Sequence, residues 1–286
     1  MNDPRGASRT LRITLEYSGA GFAGWQVQPE ARTVQGELER ALAEITREPV
    51  RVAGASRTDA GVHALGQVAS CETTCSLPGE KLRAGLNALL PADVAVSAVE
   101  DAPPGFHARF SALGKHYRYA LLSRPARAPL AAQDAWHVPW SLDVAAMQAA
   151  AGHLLGRRDF RAFVTRSEGR EEEGAEDCVR TLTRLDVSAT PAPGAGGGLR
   201  VEVDVVGDAF LYKMVRTLVG TLCQVGRGRR PAQDLAGLLL SGDRRRAGPT
   251  APPHGLCLVR VAYAPGELPG LTERSRREAA PMGASD

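Results

Sequence analysis

The sequence predicts an α+β fold, and two observations carry that prediction. Alternating apolar strands and amphipathic helices follow one another in the order β-α-β-β-α-β through the first third of the chain. The same order then returns in the remainder without obvious sequence identity. In the first part, Leu11, Ile13, Leu15 and Tyr17 alternate with polar residues, the period of a half-buried strand. Thr33 stands as an N-cap before Val34, Leu38, Ala41, Leu42 and Ile45, whose spacing draws one apolar stripe along a helix. Strand-like stretches at 50–53 and 67–71 flank a polar loop. A helix runs from Pro78, in first-turn position, to Leu90, where Pro91 ends it. Val94, Val96 and Ala98 alternate as a further strand. This is the split β-α-β (ferredoxin-like) order, an antiparallel sheet backed by two helices.

In the second part, His116 to Leu122 reads as a strand and Leu142 to Leu155 as a helix. Residues 184–187 and 199–205 form an alternating hairpin pair, linked by the Gly- and Pro-rich surface loop Pro191 to Gly198. Helices over Phe210 to Val225 and Ala232 to Leu240 precede a closing strand from Leu256 to Val261. Two like halves point to two subdomains that share an extended, mostly antiparallel sheet, with helices on one face and a cleft between the halves. The expected boundaries are a flexible 1–10, an N-terminal subdomain 11–105 carrying the polar loop, a C-terminal subdomain 106–265 and a polar, flexible tail 266–286. The stretch 165–177 is polar and expected to be flexible as well.

With 286 residues, 43% hydrophobic and 23% charged, the composition is that of a soluble globular protein with a substantial core. No apolar run approaches the roughly 20 residues of a membrane span, and the amino terminus lacks the apolar core of a signal peptide. Five cysteines, at 71, 75, 178, 223 and 257, include no Cys-x-x-Cys pair and no zinc-finger spacing. Free thiols in a reducing cytoplasm and no structural metal are the expectation. A net charge of +3 is too small to demand a polyanionic partner. Of 35 basic residues, only Lys81, Lys115 and Lys213 are lysine. Arginine's planar fork suits phosphate binding and stacking on bases; the competing account of the overall content is a nucleotide-composition bias, which would enrich arginine, alanine and glycine alike. The clusters Arg157-Arg158, Arg227 to Arg230 and Arg244-Arg245-Arg246 are candidate phosphate-tracking patches, set against the ordinary reading of a solvated face.

The most informative run is Ser56-Arg57-Thr58-Asp59-Ala60-Gly61-Val62-His63-Ala64, which packs a cation, a hydroxyl, a carboxylate, a glycine and an imidazole between two strand-like stretches. A loop ending a strand presents side chains from a rigid base. The bland alternative is a polar turn, with Asp59 or Thr58 capping backbone donors and Gly61 supplying a positive φ. The run, followed by Gly66-Gln67, resembles the signature of the tRNA pseudouridine synthase A family. Further blocks resemble that family in the same order: Gly19 to Trp25, Leu86-Asn87-Ala88, Phe106 to Ser111, Tyr117-Arg118-Tyr119, Met214-Val215-Arg216 and Gly255 to Val259. Together they cover about residues 11 to 263.

The resemblance implies the same two-subdomain architecture and a catalytic Asp59. The reaction detaches uracil from C1′ of the ribose, turns the base and rejoins it through C5. Nothing is oxidised and no group is gained or lost, so no cofactor is implied. One carboxylate can serve either by direct attack on the nucleotide or by proton abstraction leading to a glycal-type intermediate. By resemblance, Arg216 is the arginine that favours the charged form of that carboxylate. Tyr117 is the aromatic residue that stacks on uracil or positions a proton, and Leu258 lines the base pocket. The resemblance also suggests that Arg57 contacts the phosphate beside a flipped nucleotide or fills its vacated space. Read without the family, Arg216 is a helix-surface cation, Tyr117 a packed strand residue and Leu258 core. Tyr119, on the same strand face as Tyr117, is left to packing. His63 and His107 are set aside as acid–base groups, because the family pattern makes them scaffolding and RNA contacts. Thr217 departs from the asparagine that the family often has after the arginine.

The resemblance therefore implies a cytoplasmic homodimer that modifies uridines 38, 39 and 40 in the anticodon arm of tRNA, with the RNA lying across both subunits. One alternative is a pseudouridine synthase for ribosomal RNA, against which the extra blocks argue. Another is a catalytically silent RNA-binding module on split β-α-β units. With 5% aromatic residues and no RNP1 pattern, the chain does not favour that reading.

Overall fold

The computed structural model describes residues 8–165, 178–194 and 196–271. Of the expected flexible ends, 1–10 and 266–286, residues 1–7 and 272–286 fall outside this range, as does nearly all of the polar stretch 165–177, whereas Arg9 and Thr10 open the first strand and Leu268 and Leu271 are buried. The described chain is a mixed α and β fold whose sheets are open and mixed. It divides into two compact units. The first takes the chain to Ala112 together with Cys257–Tyr263; the second takes Leu113–Leu256 and the described residues from Ala264. No helix among the described residues is long and apolar enough to cross a membrane.

The first unit contains β1 (Arg9–Tyr17), α1 (Val34–Thr46), β2 (Ala53–Gly54), β3 (His63–Thr73), α2 (Gly79–Leu89) and β4 (Val94–Ala102). β1 pairs antiparallel with β4 on one side and β3 on the other. β2 pairs antiparallel with the middle of β3, and the late strand β10 (Leu256–Ala262) pairs parallel with its start, through Cys257 opposite His63 and Leu258 opposite Ala64. The alternation read in β1 is realised: Leu11, Ile13 and Leu15 are fully buried. Leu38 and Leu42 of α1 and Leu82 and Leu86 of α2 are fully buried too. Thr33 caps α1, its hydroxyl accepting from the Gly36 N–H at 3.3 Å. Pro78 is the residue before α2 rather than within its first turn.

The strand expected at 50–53 shrinks to two residues, for a visible reason. Val52 gives its N–H to the Glu39 carboxylate at 3.0 Å and its carbonyl accepts from the Gln35 amide at 3.0 Å. Two side chains of α1 thus take the ladder positions that a neighbouring strand would fill. Farther along, Asn87 of α2 brackets the Val96 backbone, accepting from its N–H at 2.7 Å and donating to its carbonyl at 2.9 Å. That bracket fixes α2 against β4 without any sheet pairing.

The second unit holds β5 (Gly114–Ser123), β6 (Trp136–Val138), α3 (Val144–Gly152), β7 (Gly156–Asp159), β8 (Val179–Pro191), β9 (Leu199–Gly207), α4 (Met214–Gly226) and α5 (Asp234–Ser241). β9 lies between β5 and β8, and β7 pairs with β8, all antiparallel. β6 pairs parallel with β5. The expected hairpin is therefore present and longer at both ends. β6 and β7 were not expected, since stretches of three and four residues are too short to establish a period; both are short additions to longer strands. α3 begins at Val144 because Asp143 caps it, accepting from the Ala146 N–H at 2.8 Å. α4 begins at Met214 rather than Phe210, because Lys213 adopts a left-handed φ of 57° and ends the preceding turn. Its inner face, with Leu218 and Leu222, is buried in the same unit as Val201, Val203 and Val205 of β9.

Candidate active site

The signature run folds as a loop from Ala55 to Val62 whose last two signature residues, His63 and Ala64, open β3. Asp59 sits at its apex, partly exposed. The Val62 N–H donates to the Asp59 carbonyl at 3.1 Å, closing a tight turn with Gly61 at φ 78°, the sign that the third position of a type II turn requires. The Asp59 backbone also forms a single antiparallel bridge with Gly24. Beside it, the Trp25 N–H donates to the Thr58 carbonyl at 3.0 Å. A Cβ on Gly24 would stand 2.8 Å from the Thr58 carbonyl oxygen, and Gly24 has φ 110°, so no larger residue brings these two segments together without strain. The block Gly19 to Trp25 is thus the wall against which the Asp59 loop is built.

Below the apex the loop is pinned from β1 and β3. The side-chain amide of Gln67, fully buried, accepts from the Ser56 N–H at 3.2 Å and donates to the Ser56 carbonyl at 2.7 Å. It also donates to the Tyr17 hydroxyl at 3.3 Å. That hydroxyl in turn lies 2.7 Å from the Thr58 hydroxyl, both in buried residues. The fully buried Trp25 indole lies against Gly54 and faces the Tyr17 ring at a centroid distance of 6.3 Å. Gln67 follows the signature run in the sequence but, like Tyr17, carried no role at the site there. The available signal was a fully polar side chain at the centre of an apolar strand, followed by Val68 and Ala69.

The other residues implied by the resemblance divide between the two units. Leu258, in the first, is fully buried on β10 directly opposite Ala64, so it shares a strand pair with the end of the Asp59 loop. Arg57 is exposed on the same loop. Tyr117 and Arg216 belong to the second unit. Tyr117 stands on β5 opposite Val205, 6% exposed, with its ring edge-on to Phe210 at 5.1 Å. Tyr119, two residues on, is fully buried and donates its hydroxyl to the Pro252 carbonyl at 2.8 Å. Burial pushes that phenol well above its ordinary range, and the Arg216 charge pulls against the shift. Tyr119 is thus packed and hydrogen-bonded within the second unit.

Arg216 lies in the first turn of α4. Its Nε donates to the Ala251 carbonyl at 2.7 Å, while the Ala251 N–H donates to the Arg216 carbonyl at 3.1 Å. Thr217 is fully buried with its hydroxyl 3.3 Å from that of Thr250. One turn on, Thr221 donates to the Thr217 carbonyl and accepts from the Gly248 N–H at 2.9 Å. A Cβ on Gly220 would stand 1.8 Å from the Pro249 carbonyl oxygen. The segment 248–251 thus docks along α4 and holds the base of the Arg216 side chain. The threonine at 217 takes part in that docking through its hydroxyl, which gives the departure from asparagine a structural role.

Both histidines set aside above act as hydrogen-bond acceptors from backbone. His63 Nδ1 accepts from the Gly19 N–H at 3.2 Å. His107 Nδ1 accepts from the N–H groups of Arg109 and Phe110 at 3.1 and 3.3 Å. Among the described residues, no group of three or more His, Cys, Asp or Glu is gathered as metal ligands would be.

A carboxylate on a tightly pinned loop beside an apolar strand is an arrangement suited to an enzyme that acts on a bound substrate through one acidic side chain. The family model described as tRNA pseudouridine synthase matches residues 13–111 and 150–264. A tRNA pseudouridine synthase A from Geobacter sulfurreducens is 44% identical over 255 residues, 89% of this chain and 100% of that protein. One from Myxococcus xanthus is 45% identical over 265 residues, 92% of this chain and 96% of that one. The chain belongs to the tRNA pseudouridine synthase family, and it is an isomerase that pseudouridylates tRNA. Among solved structures, a chain of a Cbf5-Nop10-Gar1 complex overlaps 74% of this chain and 54% of its own at 13% identity, with a TM-score of 0.29. At that score the likeness does not bear on the fold.

Proposed function

We propose that this protein converts uridine to pseudouridine in the anticodon stem-loop of tRNA, at positions 38, 39 and 40, and that Asp59 is its catalytic carboxylate. The observation that carries the reading is the Asp59 loop, whose backbone is bridged to Gly24 and tied to β1 and β3 while its apex keeps access to solvent. A reacting carboxylate needs such a fixed base. Asp59 either attacks the ribose or removes a proton from it. The C1′–N1 bond breaks, uracil turns, C5 bonds to C1′, and the C5 proton is lost while N1 gains one. The balance is closed within the nucleotide, so no cofactor enters. Tyr117 stacks on or positions the base, Arg216 favours the charged carboxylate, Leu258 lines the base pocket and Arg57 meets the adjoining phosphate.

The same reading includes a cytoplasmic homodimer that holds tRNA across both subunits, and two split β-α-β subdomains with helices on one face of a common sheet. The strand pairings within each unit are compatible with the split order: β1, first in the chain, lies between β3 and β4, and β9 lies between β5 and β8. Release of tritium from tRNA labelled at C5 of uracil, followed by mapping of the modified positions, tests the reaction. Modification at the anticodon arm is expected; modification of ribosomal RNA alone, or binding of RNA with no release, would overturn it. Sedimentation of the free protein tests the dimer, and a monomer at micromolar concentration would remove it.

A further inference from the structure

We infer that Tyr17, Thr58 and Gln67 form a positioning network that sets the Asp59 carboxylate, with the Tyr17 hydroxyl as its central link. The inference rests on Asp59 being the catalytic group. Its geometry is independent of that reading. Gln67 contributes both ends of its amide to one residue, Ser56, three positions before Asp59, at 3.2 and 2.7 Å. Its remaining N–H reaches the Tyr17 hydroxyl at 3.3 Å. Tyr17 Oη then meets Thr58 Oγ1 at 2.7 Å, one residue before Asp59. The hydrogen bonds thus run from the floor of β3, through the end of β1, to the residue that carries the carboxylate on its next Cα.

Three features separate this from ordinary core packing. The network is buried, so its hydrogen bonds act with little screening and removing any one partner is costly. It grips both sides of Arg57, at Ser56 and Thr58, and therefore fixes the path of the loop rather than one point on it. The loop apex has its own supports in the Gly24 bridge and the Gly61 turn. Removing the Tyr17 hydroxyl therefore shifts Asp59 within a loop that stays formed. A shift of the order of 1 Å in a reacting group lowers rate by about 100-fold. These three residues are assigned no contact with base or ribose; they act through Asp59.

The structure offers a matched control. Asn87 brackets Val96 with the same two-bond geometry, at 2.7 and 2.9 Å, but secures α2 to β4. The experiment compares Tyr17→Phe, Thr58→Val, Asn87→Ala and Asp59→Asn for melting temperature, tRNA affinity and single-turnover rate at saturating tRNA. Tyr17→Phe keeps the ring against Trp25, and Thr58→Val keeps the side-chain shape. Both should lose roughly 10- to 100-fold in single-turnover rate, with tRNA affinity within about three-fold of wild type. Asn87→Ala should melt earlier but react at the wild-type rate per folded molecule. A folded Tyr17→Phe that reacts within about two-fold of wild type would overturn the inference; if that variant does not fold, Thr58→Val decides on the same criterion. Rate losses in Asn87→Ala as large as those in Tyr17→Phe would also overturn it, since the effect would then be one of stability. An inactive Asp59→Asn beside an unaffected Tyr17→Phe defeats the network alone, whereas an active Asp59→Asn defeats the reading beneath it.

Discussion

At the scale of single residues, the proposed site turns on two positions, Asp59 and Gly24, that meet across one bridge. Asparagine at 59 keeps the shape and hydrogen-bonding capacity of the side chain but supplies neither a charged nucleophile nor a useful base. Asp59→Asn should fold normally and bind tRNA within a few-fold of wild type, while its single-turnover rate falls by several orders of magnitude. If Asp59 served only as a turn residue, stability would drop by about 0.5–2 kcal/mol and chemistry would survive. Gly24→Ala tests the opposing wall. Its φ of 110° and the approach of the Thr58 carbonyl leave no room for a methyl group, so unfolding free energy should fall by about 1–3 kcal/mol. Chemical denaturation reads this directly; an unchanged midpoint would mean that the bridge to Asp59 is not under constraint. Asp59 was legible in the sequence because nine consecutive residues carry a pattern. The roles of Tyr17 and Gln67 were not, because they reach the loop from two different strands and only pairing brings their polar ends together.

At the scale of elements, legibility followed period and capping. The start of α1 could be read to the residue because Thr33 marks it, and a full apolar stripe marks its buried face. The stretch at 50–53 carries strand-like composition, yet Gln35 and Glu39 of α1 occupy its backbone groups, a tertiary contact invisible in any window. Thr33→Ala should lower stability by about 0.5–2 kcal/mol, measured by urea unfolding, and a neutral result would deny the cap any weight. The pairing of β5 with β9 carries a pH signature. Asp204 is buried, which by itself would raise its carboxyl, but bonds with His116 at 2.5 Å and from Arg118 at 3.0 Å outweigh burial and hold it below its ordinary range. A carboxyl lowered on folding adds stability that is fully present above its unfolded pKa, near 3.9, and is lost as pH falls through the folded value. The stability gap between wild type and Asp204→Asn should therefore narrow as pH falls below about 4. A gap that stays constant into acid would show that the cluster does not depend on the charge.

At the scale of the whole molecule, the arginine clusters become more discriminating once their surroundings are known. Arg244 donates to the Gly248 carbonyl and the Thr250 hydroxyl, both at 3.0 Å, and so belongs to the scaffold docked along α4. Arg245 pairs with Asp243, while Arg246, Arg157 and Arg158 keep access to solvent. Replacing Arg246, Arg157 and Arg158 with alanine should weaken tRNA binding and reduce its dependence on salt by about 0.7–0.9 in slope for each phosphate that is no longer neutralised. An unchanged slope would return these residues to the solvated surface. The order of elements and the Asp59 loop were readable because each is local. The docking of 248–251 on α4 and the joining of β10 to β3 were not, since both close over long stretches of chain. The central claim, that this chain isomerises uridine in tRNA through Asp59, is tested most directly by tritium release from C5-labelled tRNA with the wild-type protein and Asp59→Asn side by side. Release by the wild type, mapped to the anticodon arm, and none above background by the variant is the result expected. No release by the wild type, or comparable release by a well-folded Asp59→Asn, would contradict it.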